Sequence, residues 1–260
     1  MARKIIIVTS SYGSDYIQEI GGQKEILATV KAAGADGVEI RRELFSAEEL
    51  SQLSELAQAI KHQQLECFYS VPFSLFLQQF PEQKTEINPN IEQYFDEAKQ
   101  LDAKLIKFSL GDFQLDMSSV LAERLAAVNR IYPDILCVIE NDQALKSGNL
   151  HSMAAFAEWL KQHKLPLRLA FDSGNWAWVQ QDPQTAAQKL APYVGYVHLK
   201  STALDAAGKL SAVPPTGRAD NYVQIVQRNF SQDVPLGIEF PLIGENLVAT
   251  SLYFVELLKG

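Results

Sequence analysis

A single-domain (β/α)8 barrel, an α/β TIM barrel spanning residues 1–260, is the fold this sequence predicts, and three observations predict it. Eight short runs rich in β-branched and aromatic residues recur along the chain. Helical periodicity fills the stretches between them, and no linker or low-complexity segment interrupts the alternation. Parallel strands joined by crossover helices, apolar enough to be buried on both faces, follow from that grammar. The length fits one barrel, and a hydrophobic content of 47% can fill its core. The alternative, a doubly wound open sheet, lacks its usual support, because no GxGxxG or GxxxxGK[ST] loop follows the first strand.

KIIIVTS (4–10) is the first strand. QKEILATVKAAG follows it, with Ile26, Val30 and Ala33 at helical spacing and Gly34 where a left-handed residue closes a helix. GVEIRR (37–42) is the second. Its helix, SAEELSQLSELAQAIKH, opens on a capping box of Ser46 and Glu49 and carries Leu50, Leu53, Leu56 and Ile60 along one stripe. LECFYSV (65–71) and KLIKFSL (104–110) are the third and fourth strands, and SSVLAERLAAVNRIY is the helix after the fourth. ILCVIE (135–140), LRLAFD (167–172), GYVHLK (195–200) and LGIEF (236–240) complete the eight. LHSMAAFAEWLKQH, DPQTAAQKLAPY and NLVATSLYFVELLKG are further helices of the ring.

Charge narrows the function classes. A formal net charge of -8 and a pI near 5.1 repel phosphodiester backbones and anionic membrane surfaces, so neither nucleic acid nor a membrane is expected as a partner. Cys67 and Cys137 lie far apart in apolar strand-like runs, where free thiols behave as small buried hydrophobes, and the pattern contains no CxxC site. The early run IIIV is too short for a signal-peptide core, and no apolar stretch reaches membrane length. A cytoplasmic setting is the expectation.

A barrel places its chemistry at the C-terminal ends of its strands. The last four strands all carry metal-type ligands there: Glu140 in CVIEND, Asp172 in LAFDSGN, His198 in YVHLKS and Glu239 in LGIEFPL. Their separations of 32, 26 and 41 residues are each about one β/α unit, so neighbouring strands aim all four into one mouth. Strand alternation sets His198 and Lys200 on one face and Val197 and Leu199 on the other. Three carboxylates and an imidazole suit one divalent cation, manganese or magnesium ahead of zinc or cobalt for so oxygen-rich a set. Without a cation the carboxylates repel and raise one another's pKa values. Each residue alone has a plainer reading. His198 would be a core histidine, and Glu140 or Glu239 a strand-end carboxylate paired with Lys200 or Arg41. Four such residues on four consecutive strands favour the metal.

VIEND, FDSGNW, VHLKS and GIEFP, in this order and spacing, resemble the xylose-isomerase-like TIM-barrel superfamily of sugar isomerases and epimerases, which also includes sugar phosphate isomerases and family-2 AP endonucleases. GADGVEIRRE resembles the strand-two motif of the same family, so the likeness spans nearly the whole chain. The resemblance implies that Glu140, Asp172, His198 and Glu239 bind one divalent metal. It also implies that Glu140 and Glu239 are the proton-transfer pair on opposite sides of a ketose or its metal-stabilised enediolate. Such a pair epimerises a carbon next to a carbonyl, one carboxylate removing the proton and the other returning it. A sibling reaction, dehydration of a keto-polyol or related acid, would use the same acid and base, and a barrel that binds metal or sugar without turnover is the remaining alternative. A small carbohydrate is the implied substrate, and relatives of this kind form homo-oligomers.

Two features depart from the ketose epimerases. Asn175 stands three residues after Asp172, where many of them have histidine, and it donates a hydrogen bond but does not shuttle a proton. STALDAAGK replaces the arginine that follows their metal histidine, leaving Arg218 in PPTGRADN as the nearest. The AP endonucleases hold a zinc cluster with several histidines; this chain has four, and His62, His151 and His163 sit in helical stretches. Substrate contacts are expected from Glu39 and Arg41, which share a face, and from Lys107, Lys200, Asn175 and Arg218, with Trp176 or Trp178 as a wall. A salt-bridged barrel lining is the competing reading for Glu39, Arg41 and Lys107. Tyr69 and the loop PFSLFLQQF are a candidate lid, against core packing for the phenylalanines.

Overall fold

Hydrophobic runs that alternate with helices have to bury both faces of each strand, and a closed ring does so without leaving an edge. The computed structural model describes residues 2–78, 84–114 and 119–259. The strands begin with β1 (Ile5–Val8), β2 (Gly37–Arg41), β3 (Glu66–Leu77) and the two-residue β4 (Glu86–Ile87). They continue with β5 (Leu105–Gly111), β6 (Leu136–Glu140), β7 (Arg168–Asp172) and β8 (Val194–Leu199), and end with β9 (Ser201–Leu204), β10 (Leu210–Val213) and β11 (Leu236–Ile238). Eight of them form a parallel ring in the order β2, β1, β11, β8, β7, β6, β5, β3, and β3 pairs back to β2 to close it. The fold is a (β/α)8 TIM barrel, and each of the eight strands read from sequence is one of its staves.

Helices coat the outside. After β1 come α1 (Ser14–Glu19) and α2 (Leu27–Ala32), and after β2 come α3 (Ala47–Ser51) and α4 (Leu53–His62). One helix then follows each remaining stave: α5 (Ile91–Gln100), α6 (Ser119–Ile131), α7 (Leu150–Gln162), α8 (Pro183–Leu190), α9 (Asn221–Asn229) and α10 (Leu247–Lys259). None is long and apolar enough to cross a membrane. The Ser46–Glu49 capping box is present, but the helix it opens is interrupted at Gln52 before Leu53, Leu56 and Ile60 bury their stripe. Gly34 has φ +73 at the end of α2, the left-handed closure expected of it. Asn149, Asp182 and Asp220 cap α7, α8 and α9 through their side chains, which fixes where each loop at the mouth ends.

The core has two parts. Between the staves and the helices lies a continuous apolar layer containing both buried, free cysteines. Inside the ring, Ile6, Phe68, Leu105, Val138, Ala170 and Tyr196 form a plug. Above that plug the inward positions become ionic, which is where the site begins. The lid expectation is corrected here. Residues 72–77 continue β3 and pair with β5 and β4, Tyr69 is fully buried with its hydroxyl on Glu97, and the end of that loop, 79–80, lies outside the described residues. The STALDAAGK stretch leads into an antiparallel β9–β10 hairpin that hangs from the end of β8.

Candidate metal centre

Asp172 ends β7, and its register partner on β8 is His198, whose partner on β11 is Gly237. Glu140 ends β6, and Glu239 follows β11 directly. One ligand atom from each of Glu140, Asp172, His198 and Glu239 lies within 4.8 Å of all the others. His198 Nδ1 is 2.7 Å from Glu140 Oε1, 3.3 Å from Glu239 Oε2 and 4.0 Å from Asp172 Oδ2. Glu140 Oε1, Asp172 Oδ2 and His198 Nδ1 are buried with no aligned hydrogen-bond partner. Buried polar atoms left this way are costly, and one divalent cation among them would satisfy all three. The donor set therefore fits a metal.

Neighbouring residues hold these atoms in place. Asp172 Oδ1 accepts from the backbone N–H groups of Gly174 and Asn175, which turns Oδ2 inward. Lys107 Nζ donates to Glu140 Oε2 at 2.7 Å, Lys200 Nζ to Glu239 Oε2 at 2.8 Å, and Arg41 to Glu239 Oε1 at 2.8 Å. Lys200 Nζ is also 2.8 Å from Asp172 Oδ2. Asn141, the residue after Glu140, receives the Asp172 N–H and donates to the Asp172 carbonyl, stitching β6 to β7 just below the ligands.

These contacts divide the carboxylates electrostatically. Burial raises Glu140, but the charges of Lys107 and His198 outweigh it and bring the group down to about 2. Glu239 is likewise pushed up by burial and pulled well below the usual range by Lys200 and His198. Asp172 goes the other way. Burial lifts it to about 7 against the pull of Lys200, and Glu239 and Glu140 add to the rise. Among protein groups alone, burial lowers His198, while Glu39, Glu239 and Glu140 hold it well above its normal value. The arrangement thus keeps two glutamates anionic, while burial and those glutamates hold Asp172 high although Lys200 lies 2.8 Å from it.

The expected substrate contacts separate under the structure. Arg41, Lys107 and Lys200 do face the mouth, but as ion-pair partners of the carboxylates, so the salt-bridged lining and the cluster coexist. Glu39 is corrected: it is wholly buried beneath His198 and bonded to it. Asn175 is buried, donating to the Asn141 carbonyl and accepting from Gln143, so its amide is spent on the loop. Trp176 packs 5.6 Å from Phe171 in the outer layer, because Phe171 alternates with inward Asp172; it forms no wall of the mouth. Arg218 is exposed on the loop before α9, where its carbonyl receives Gln224. Asn141 and Tyr196 join the site beyond the residues expected from sequence; the signal for Tyr196 is its place two residues before His198, which sets both on one face.

A cavity of about 270 Å³ opens beside Glu239, lined by Ser10, Tyr12, Gly13, Phe240 and Ile243. The Tyr12 hydroxyl is engaged by Ser251 and the Ser11 hydroxyl by the Ile238 carbonyl. A larger hollow of about 530 Å³ lies between Gly22, Glu43 and Glu49, lined by carboxylates rather than by the cluster.

No protein-family model matches the sequence, and neither does any curated protein. Solved structures do match. A xylose isomerase domain containing protein from Salmonella typhimurium is 15% identical, with 99% of this chain and 98% of that one covered and a TM-score of 0.70. The probable 3-DHS dehydratase AsbF from Bacillus anthracis is 18% identical over 99% of both chains, TM-score 0.66. The IolI protein, solved with a zinc atom, is 14% identical over 98% of both, TM-score 0.69. Others include a 3-keto-D-glucoside 4-epimerase from E. coli and D-psicose 3-epimerases. In fold, the chain is a (β/α)8 TIM barrel similar to these structures.

Proposed function

We propose that this protein is a metal-dependent isomerase or epimerase of a sugar or sugar derivative, moving a proton on a carbon next to a carbonyl. The convergence of Glu140, Asp172, His198 and Glu239 within 4.8 Å at the barrel mouth carries the reading. These four would hold one divalent ion, manganese or magnesium by their oxygen-rich set, with zinc or cobalt as substitutes. When bound, the ion supplies Lewis-acid polarisation of substrate oxygens. Glu140 ends β6 and Glu239 follows β11, the outer members of a four-strand arc, so the two carboxylates would approach a substrate on the ion from different sides. Lys107 keeps Glu140 anionic, and Lys200 keeps Glu239 so, which lets either carboxylate begin as the acceptor. One takes a proton from carbon at an Oε atom, the other first takes up a proton from solvent and delivers it to the opposite face, and the first then releases its proton to water, which resets the pair.

The sugar-epimerase neighbours and the dehydratase neighbour support a sugar-modifying barrel of this kind. A small carbohydrate substrate, no nucleic-acid or membrane partner and a cytoplasmic setting belong to the same reading, as does a homo-oligomer. The test is solvent exchange. Manganese-loaded protein is incubated in heavy water with a panel of ketoses, keto-acids and inososes. Deuterium is expected at the carbon beside the carbonyl, and Glu239→Gln is expected to abolish it while the fold persists. A new unsaturated product would move the assignment to dehydration. A bound ligand that acquires no label would make the barrel a binding protein.

A further inference from the structure

We infer that Glu39 is a positioning residue for the centre: it selects Nδ1 of His198 as the ligand atom and fixes the ring that presents it. The inference rests on the metal reading above. Glu39 lies on the inner face of β2, separated from β8 in the ring by β1 and β11, and is entirely inaccessible to solvent. Its Oε2 lies 2.7 Å from His198 Nε2 and accepts the Tyr196 hydroxyl at 2.8 Å. An ionised carboxylate only accepts, so the Nε2 side of the ring carries the proton, and the lone pair of the neutral imidazole falls to Nδ1. Nδ1 is the nitrogen that meets Glu140, Glu239 and Asp172.

The surrounding contacts over-determine this seat. The Tyr196 hydroxyl takes the same oxygen as His198 and so fixes the rotamer of the carboxylate. The Tyr196 and His198 rings pack edge to face at 4.8 Å. Arg41 and Lys107 stand 3.7 and 3.9 Å from Glu39 Oε1, supplying positive charge to a carboxylate shielded from solvent. Gly237 makes the room: a Cβ there would come within 2.3 Å of the Tyr196 hydroxyl oxygen and 2.7 Å of His198 Cδ2. A buried ion pair that merely tied β2 to β8 would need none of this selectivity between ring nitrogens.

The first measurement uses the unaltered protein. Labelled with ¹⁵N-histidine and loaded with ¹¹³Cd, it contains four histidines, and His198 is expected to show cadmium coupling at Nδ1 with a slowly exchanging proton on Nε2. Titration with Co(II), followed by visible absorption, then compares variants. Glu39→Gln, which keeps an accepting oxygen but not the charge, is expected to weaken Co(II) binding about ten- to a hundred-fold and to speed exchange of the Nε2 proton. Tyr196→Phe should weaken it by less than about ten-fold. Cadmium on Nε2 overturns the inference. So does Glu39→Gln that melts earlier yet binds Co(II) with unchanged affinity and spectrum, for Glu39 is then a structural ion pair. Wild-type protein that binds neither ion refutes the metal reading itself, and the inference with it.

Discussion

Lys107 shows how closely stability and chemistry are joined at single residues. Its buried ammonium bonds Glu140 at 2.7 Å and is 3.9 Å from Glu39. Lys107→Met removes the charge but keeps the stem, leaving Glu140 buried and anionic without its partner. Breaking a buried pair in this way costs about 3–5 kcal/mol, to be read from urea unfolding of the two proteins; an equal stability would mean that water already screens the pair. Gly237→Ala tests the space rather than the charge. Its methyl must displace Tyr196 or His198, and overpacking of that order costs about 1–3 kcal/mol in the same assay, with Co(II) affinity lowered as the ring shifts. The four clustered residues are legible in sequence because each lies at or near a strand's C-terminal end and they recur at about one β/α spacing. Glu39 was not, because alternation gives the face of a strand but not the depth at which a side chain stops. Asn175 and Trp176 were misread for a related reason: both follow Asp172 in a motif, yet the turn after β7 spends the amide on Asn141 and drives the indole outward.

At the scale of elements, all eight staves were readable, since β-branched runs at regular spacing leave few other solutions. Helices α5 and α9 are less legible, because charged and amide residues crowd around their buried positions. Tyr69, read as part of a lid, joins β3 to α5 instead. Glu97 of α5 accepts the Tyr69 hydroxyl at 2.6 Å, two bonds from the Arg42 guanidinium at 2.7 and 3.0 Å, and one from Gln93. Arg42 also lies over the rings of Phe73 and Tyr94, so this one carboxylate gathers β2, β3 and α5. Burial raises Glu97, but the bonds from Arg42, Tyr69 and Gln93 prevail and hold it below its usual 4.5. A carboxyl depressed on folding contributes stability above its unfolded pKa and loses it as pH falls through the folded value. Glu97→Gln is therefore expected to cost about 1–3 kcal/mol at neutral pH, with the gap to wild type closing as pH drops below 4.5 in thermal melts. A gap that stays constant with pH would show that packing, not charge, is what the variant removes.

Closure of the ring is what makes one centre out of residues 39 to 239, and no fragment of the chain contains it. The ligands come from β6, β7, β8 and the end of β11, while the bond from Glu39 to His198 reaches from β2 to β8 past two intervening staves. Such separations are absent from local sequence; the motifs mark the four residues, and only the barrel brings their atoms together. A cation that grips them binds the closed ring and not the unfolded chain, so it stabilises the whole molecule by linkage. At a hundred-fold excess over its dissociation constant the gain is about 2.7 kcal/mol. For a chain of this length each kcal/mol moves the melting temperature by roughly 2–4 °C. Protein stripped with a chelator and then titrated with manganese should therefore melt about 5–10 °C higher in calorimetry, and His198→Asn should erase the rise. The control matters because a chain with a net charge of -8 also attracts divalent ions to its surface. Surface binding is screened by salt and indifferent to His198, whereas the centre is buried and depends on it. A rise that survives His198→Asn and fades with added salt would place the ion on the acidic surface rather than in the barrel mouth.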